Sequence, residues 1–315
     1  WGDFNNPERI EAFLLNRARQ FEEQFGPMAR AGETPKTNML ALSGGGQYGA
    51  FAAGILNGWS ETGERPVFDA VSGISTGAII APFAFLGEAY DPLLEEFYTT
   101  TSTEDMLRPT LFAGIFRGSA LADTTPLRNK IAEYVTEDLL TAIAAEHRNG
   151  RLLVIGTTNL DAGRSVMWNM GAIADSGRSG ALQLFRDVIL ASAAIPIAFP
   201  RVFFDVVADG EVYTELHVNG GVTSQVNALS PQVPGYLVDE VLGFDIDRTL
   251  YVIVNGAVTP APEPLRLRTL DIGNASLTTI WYAQTVGDLF RIHAVARRDD
   301  IATRYAWIPA DFTAE

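Results

Sequence analysis

The chain has 315 residues, 47% of them hydrophobic, and carries 23 Lys and Arg against 38 Asp and Glu, a formal net charge of −15. Such a length buries a large core, as one large α/β domain or two small ones, while the charge argues against nucleic acid and against electrostatic docking on anionic lipid. No Cys occurs, which excludes disulfides and thiolate metal sites, and no apolar run of about 18 residues reads as a transmembrane helix. An apolar contact with a membrane surface stays open. The sequence starts at Trp1 with no initiator Met, which reads as a processed or truncated N-terminus. A bacterial periplasmic or membrane-associated location after loss of a leader is compatible with that start.

Asn6-Pro7-Glu8 is a helix start, with Asn as cap and Pro at the first position. Ile10, Phe13, Leu14, Phe21 and Phe25 follow as one apolar stripe, so residues 1–36 are expected as a helix and linker clamped onto a body of 37–315. Strands and helices then alternate. Asn38–Ser43 reads as a strand, Tyr48–Trp59 as a helix, Val67–Val71 as a buried strand and Ala78–Leu86 as a helix apolar on every side. A helix is expected over Pro126–Glu146, strands over Arg151–Thr157 and Ser165–Met170, and a helix over Ala181–Ser192. A strand ending near Val218, another over Leu250–Val254, a helical Ser276–Arg297 region and a strand near Tyr305–Ile308 complete the pattern. The alternation predicts a single three-layer α/β/α domain on a mostly parallel sheet.

Gly73-Ile74-Ser75-Thr76-Gly77 falls at the strand-to-helix junction. A Gly-x-Ser-x-Gly there is a nucleophile elbow: the tight turn lifts the serine hydroxyl out of the sheet, and the flanking glycines remove clashing side chains. The helix N-terminus would favour negative charge developing beside Ser75. An ordinary Gly-rich turn is the competing account. Ser43-Gly44-Gly45-Gly46-Gln47-Tyr48-Gly49 follows the first strand, where bare backbone N–H groups can form an anion nest. Gly44, Gly46 and Gly49 also satisfy a dinucleotide fingerprint, with Asp69 as its acid, although the Ser75 elbow would crowd an adenosine. No Lys follows the glycines as a phosphate loop requires.

The histidines are His147, His217 and His293. His147 reads as a surface residue in the last turn of a charged helix. His293, on the stripe of Val286, Leu289 and Phe290, reads as packed or at a rim, yet its place after Ser75 allows an ordinary Ser-Asp-His triad. His217 precedes Asn219-Gly220-Gly221, a hairpin-turn signal in its plainest reading. Alternation along a strand puts His217 on the side of residue 219, as a packed histidine or a weak substitute base.

The glycine loop, the Ser75 elbow and the late Gly220-Gly221 together resemble the patatin-like acyl hydrolases. Leu121-Ala122-Asp123-Thr124-Thr125-Pro126-Leu127, Thr157-Thr158-Asn159-Leu160-Asp161 and Ala191-Ser192-Ala193-Ala194-Ile195-Pro196, with Phe199-Pro200 after it, carry the same resemblance, which covers roughly residues 37–256. It implies a Ser–Asp dyad without catalytic histidine, metal or cofactor, acting on phospholipid, galactolipid or neutral-lipid esters. Ser75 is then the nucleophile, and Gly44, Gly45 and Gly46 form the oxyanion hole, with Gly49, Gly73, Gly77, Gly220 and Gly221 as motif glycines.

Two departures stand out. Tyr48 replaces the Arg or Lys often found in the family's loop, and Asn219 occupies the slot of the aspartate in Asp-Gly-Gly. A neutral carboxamide has no useful basicity near pH 7. The chain is therefore expected as a lipid acyl hydrolase with its base neutralised, either an inactivated form of an active enzyme or a natural pseudoenzyme that binds lipid. The remaining site chemistry favours the first. Leu111–Phe116 and Ile195–Phe204 are candidates for an acyl channel, with core packing as the alternative.

Overall fold

Residues 7–100, 108–109, 122–196, 199–208, 210–228, 235–259, 264–265 and 267–309 are described in the computed structural model. The strands are β1 (Lys36–Leu42), β2 (Ala70–Ile74), β3 (Arg108–Pro109), β4 (Ala122–Asp123), β5 (Leu152–Asn159), β6 (Arg164–Asn169), β7 (Val202–Ala208), β8 (Glu211–Asn219), β9 (Asp247–Val254) and β10 (Ala302–Trp307). The helices are α1 (Pro7–Arg30), α2 (Gly49–Glu61), α3 (Thr76–Leu86), α4 (Asp91–Thr100), α5 (Thr125–Tyr134), α6 (Glu137–Arg148), α7 (Met170–Ala174), α8 (Ala181–Ala193), α9 (Gly235–Leu242) and α10 (Thr269–Arg298). The central sheet has eight strands in the order β10-β9-β1-β2-β5-β8-β7, with β6 also on β5. From β10 to β5 the pairs are parallel, and β6, β7 and β8 pair antiparallel.

The two faces of the sheet follow from the period of two along each strand. In β1 and β9, Leu40, Leu42 and Ile253 join the main core with α2, α3, α4, α5, α6 and α8. Ala41, Leu250, Val252 and Val254 point the other way, against Ile292 and Ala296 of α10. Helices thus cover both faces, giving the expected α/β/α layering. Helix α3 is buried from Thr76 to Phe85, as its all-round apolar sequence demands. Phe21 and Phe25 of α1 pack on Val238 and Ile246, and Arg17 donates to the Gly150 carbonyl.

Four departures from the sequence reading concern the elements around the site. Strand β2 starts three residues later than expected. Asp69 caps the β1 start by accepting the Asn38 N–H at 2.8 Å, so pairing begins only at Ala70 and Val67 is exposed. The helix expected over Pro126–Glu146 is two, α5 and α6, because Val135 leaves helical geometry and Thr136, extended, caps α6 by accepting the Leu139 N–H. Asn219-Gly220 is not a hairpin turn: β8 pairs backwards with β7, and Gly220–Val222 form one 3₁₀ turn. Phe199, Val202 and Phe204 belong to the main core, which removes them from a channel, and Leu111–Phe116 lie outside the described residues.

One consequence of the topology positions the site. On one edge of β5, Ile74 of β2 faces Gly156. Asn219 of β8 faces the next residue, Thr157, on that same edge, because β6 occupies the other. Where β2 ends, β8 takes over its place. Ser75 and Asn219, 144 positions apart in sequence, are therefore neighbours.

Candidate active site

Ser75 follows β2 and caps α3 with φ 56° and ψ −120°. Such a backbone costs a non-glycine residue on the order of 1–3 kcal/mol and persists only when its surroundings hold it. Its N–H donates to Ser192 Oγ at 2.9 Å, and Ser192 donates to the Gly156 carbonyl at 2.6 Å. Gly77 lets α3 seat on β1: a Cβ there would lie 2.4 Å from the Leu42 carbonyl oxygen. Behind the elbow, the Thr76 and Tyr98 hydroxyls are 2.6 Å apart. Burial pushes the Tyr98 phenol above its ordinary range, so it stays a neutral hydroxyl. Ser75 is half-buried between buried neighbours, leaving its hydroxyl accessible.

Asn219 ends β8 and is 5% exposed. Its Oδ1 accepts the Gly221 N–H at 2.8 Å, and its Nδ2 donates to Ser75 Oγ at 3.0 Å. The orientation of the amide is fixed by chemistry, since a backbone N–H can only donate and must meet the oxygen. The group aimed at Ser75 is consequently an NH₂. It hydrogen-bonds the serine oxygen but cannot receive its proton. A carboxylate in the same place would keep the Gly221 bond on one oxygen and turn the other to Ser75.

The glycine loop is clamped from two sides. Asn255, at the end of β9, donates its N–H to Ser43 Oγ at 2.8 Å and its Nδ2–H to the Ser43 carbonyl at 2.9 Å. Gly45 has φ 155°, and a Cβ there would lie 2.0 Å from the Asn255 carbonyl oxygen. On the other side the Gly44 N–H donates to the Gln225 carbonyl at 3.0 Å. Gly44 is thus a committed donor. Among the described residues, the N–H groups of Gly45 and Gly46 meet no acceptor.

None of the histidines serves Ser75 in this arrangement. His217 is buried against Phe204 and Trp168. Its Nε2 faces Glu215 at 3.1 Å and its Nδ1 faces Thr157 Oγ1 at 2.8 Å. Burial lowers its pKa, and the Glu215 carboxylate raises it less. The neutral ring donates from Nε2 to Glu215 and accepts from Thr157 at Nδ1, so its lone pair is directed away from Ser75. His293 is exposed on α10, which fits the rim alternative and not the packed one. His147 lies half-buried against Gly171, also unlike its sequence reading. The dinucleotide alternative fails on position: Asp69 stands at the start of β2, bound to Asn38 and Gln24, whereas such ligands lie beyond carboxyl ends of strands.

Ser192, Gln225 and Asn255 hold the site, yet none was assigned a role from sequence. Ser192 lay inside a motif already singled out, Ala191–Pro196. Gln225 and Asn255 bind through backbone groups distant in sequence, a relation that no local pattern encodes. Among the described residues no three His, Asp or Glu lie together as a metal site, and no helix is long and apolar enough to cross a membrane.

Comparison with known proteins places these motifs. The family model for patatin-like phospholipase matches residues 40–231. No curated protein matches. Among solved structures, the crystal structure of VipD from Legionella pneumophila aligns at 12% identity and a TM-score of 0.41, over 90% of this chain and 63% of that one. The chain thus spans less than two thirds of that structure's length, and a likeness so low carries no argument.

Proposed function

The chain belongs to the patatin-like phospholipase family, and from that premise we propose that it is a serine acyl hydrolase of lipid esters whose base position carries a neutral amide. The observation that carries this reading is the 3.0 Å contact between Ser75 Oγ and Asn219 Nδ2, on an elbow held in strained geometry. With an aspartate at 219, the carboxylate takes the Ser75 proton as Oγ attacks the ester carbonyl carbon. The tetrahedral oxyanion is met by the N–H groups of Gly45 and Gly46, and the N-terminus of α3 adds its dipole. The carbonyl re-forms as the alcohol leaves with the proton, and the same carboxylate then activates water to hydrolyse the acyl-serine.

As the chain stands, Asn219 donates to Ser75 instead of accepting from it. That hydrogen bond favours a second reading for this form: a lipid-binding protein with the elbow and glycine loop retained and turnover lost.

Fatty-acid release from phosphatidylcholine or galactolipid dispersions or from a triacylglycerol emulsion, measured for the chain and for Asn219→Asp, separates the two. Release only by the variant supports the hydrolase. Binding to lipid without release by either supports the second reading.

A further inference from the structure

Asp288 sits on α10, beyond the residues that match the family model. It is 5% exposed, one turn before Ile292, which packs with Val226 and Ala296 where α10 meets the sheet. A carboxylate is costly in such a place unless its oxygens are fully hydrogen-bonded, and packing alone would be served by an apolar side chain. Its Oδ2 accepts the Gln225 N–H at 2.7 Å and the Val226 N–H at 3.2 Å and faces Ser224 Oγ at 3.0 Å, whose one proton it shares with the Val226 carbonyl at 2.9 Å. Arg291 lies 3.0 Å from Oδ1 and also donates to Ser224 Oγ. One anion therefore fixes the whole Ser224–Val226 turn.

Gln225, at the centre of that turn, touches both halves of the site. Its carbonyl accepts the Gly44 N–H at 3.0 Å. Its side-chain Nε2 donates to the Gly221 carbonyl at 2.9 Å, and the Gly221 N–H is the donor that orients Asn219. Its Oε1 fills the space where a Gly44 side chain would be, 2.9 Å from that Cβ position. Gln225 thus sets the distance between the glycine loop and the residue-219 turn.

We propose that Asp288 is a positioning residue of the active site, holding Gln225 so that the Gly44–Gly46 loop and the Asn219–Gly221 turn keep their mutual placement around Ser75. The inference rests on the reading of these two segments as oxyanion loop and base turn. The C-terminal helix is then part of the catalytic apparatus without touching substrate, and its contribution is geometric. Misplacing reacting groups by about 1 Å can cost roughly 10²-fold in rate.

The test uses Asp288→Ala, Asp288→Asn, Gln225→Ala and Arg291→Ala in the Asn219→Asp background. Asp288→Ala is expected to lower kcat by roughly 10–100-fold with KM within about 3-fold, and Asp288→Asn, which still accepts at one oxygen, to fall between it and the parent. Amide exchange followed by mass spectrometry should speed up in peptides covering 43–48 and 219–228, while peptides of β2 and β5 keep the parent rate. Gln225→Ala keeps the backbone bonds of residue 225 to Asp288 and Gly44 and removes only the side-chain bond to the Gly221 carbonyl, so it should lower kcat and speed exchange at 219–228. Arg291→Ala, which removes the partner of Asp288 Oδ1, carries the test at 43–48 if the Asp288 variants unfold. Exchange that rises only at 224–226, with 43–48 unchanged, overturns the proposal; so does an unchanged kcat in an active parent. If the Asn219→Asp parent hydrolyses nothing, the hydrolase reading fails, and exchange at 43–48 still decides whether Asp288 positions the loop.

Discussion

Asn219 faces Ser75 with its nitrogen, 3.0 Å from Oγ, because its oxygen is held by the Gly221 N–H. The serine oxygen is an acceptor in that pair and its proton has no base to move to. Other features around Ser75 suit a proton that does move: the elbow is strained, its backbone N–H is held by Ser192, and among the described residues two N–H groups of the glycine loop meet no acceptor.

Ser75 should therefore be reactive in proportion to the base at 219. With Asn219→Asp, a fluorophosphonate is expected to label Ser75 and no other serine, and the unsubstituted chain to label far more slowly. Peptide mapping of the adduct checks this. Labelling that persists in Ser75→Ala would contradict the elbow assignment.

Histidine should be dispensable. His293 is exposed and His217 is turned toward Glu215 and Thr157. In the Asn219→Asp background, His293→Ala should keep kcat within about 3-fold, since it breaks no contact with the reacting atoms. A fall of about 10³-fold or more in a folded protein would point to a triad instead.

The glycine loop tolerates no side chain at Gly45. Gly45→Ala combines a φ of 155° with a Cβ 2.0 Å from the Asn255 carbonyl oxygen, and both backbone strain and overpacking cost about 1–3 kcal/mol each. Denaturant unfolding should show a loss on the order of 3 kcal/mol. Gly54→Ala, with nothing within 4 Å of its Cβ, is the control and should be neutral or slightly stabilising. Equal stability of the two variants would mean that Asn255 does not press on the loop.

Acid sensitivity has a named source. The folded pKa of His217 lies below its ordinary value of 6.5, chiefly through burial. Below about pH 6.5 the unfolded chain takes up a proton that the folded chain does not. Stability from this group is thus full above that pH and is lost as pH falls toward the folded value. His217→Gln should flatten the fall of Tm with pH below about 6.5. An unchanged slope there would assign the loss to other groups.

The sequence spoke clearly where the chemistry is local. Ser75 and its flanking glycines, the glycine loop and Asn219-Gly220-Gly221 each occupy one short segment, and the strand–turn–helix around Ser75 follows from apolar runs and glycines. The parallel strands and the buried α3 were readable for the same reason. What escaped was relational. That β8 replaces β2 along β5 depends on antiparallel pairing across some 60 residues, and the β7–β8 hairpin was hidden by the exposed apolar Val207 and Val212, which blur any alternation. The commitment of the Gly44 N–H to Gln225, and of Gln225 to Asp288, joins segments 181 and 63 positions apart. Local pattern carries no record of such pairs.

Residue 219 is proposed as the base, and its amide as the reason the chain would not turn over. Hydrolysis of a short-chain ester by the chain and by Asn219→Asp, at equal folded concentration and neutral pH, tests that assignment directly. A gain of roughly 10³-fold or more is expected, the scale on which losing a catalytic carboxylate acts, with abolition of that gain by Ser75→Ala. Equal rates from a normally folded Asn219→Asp, or a gain that survives Ser75→Ala, would contradict the assignment.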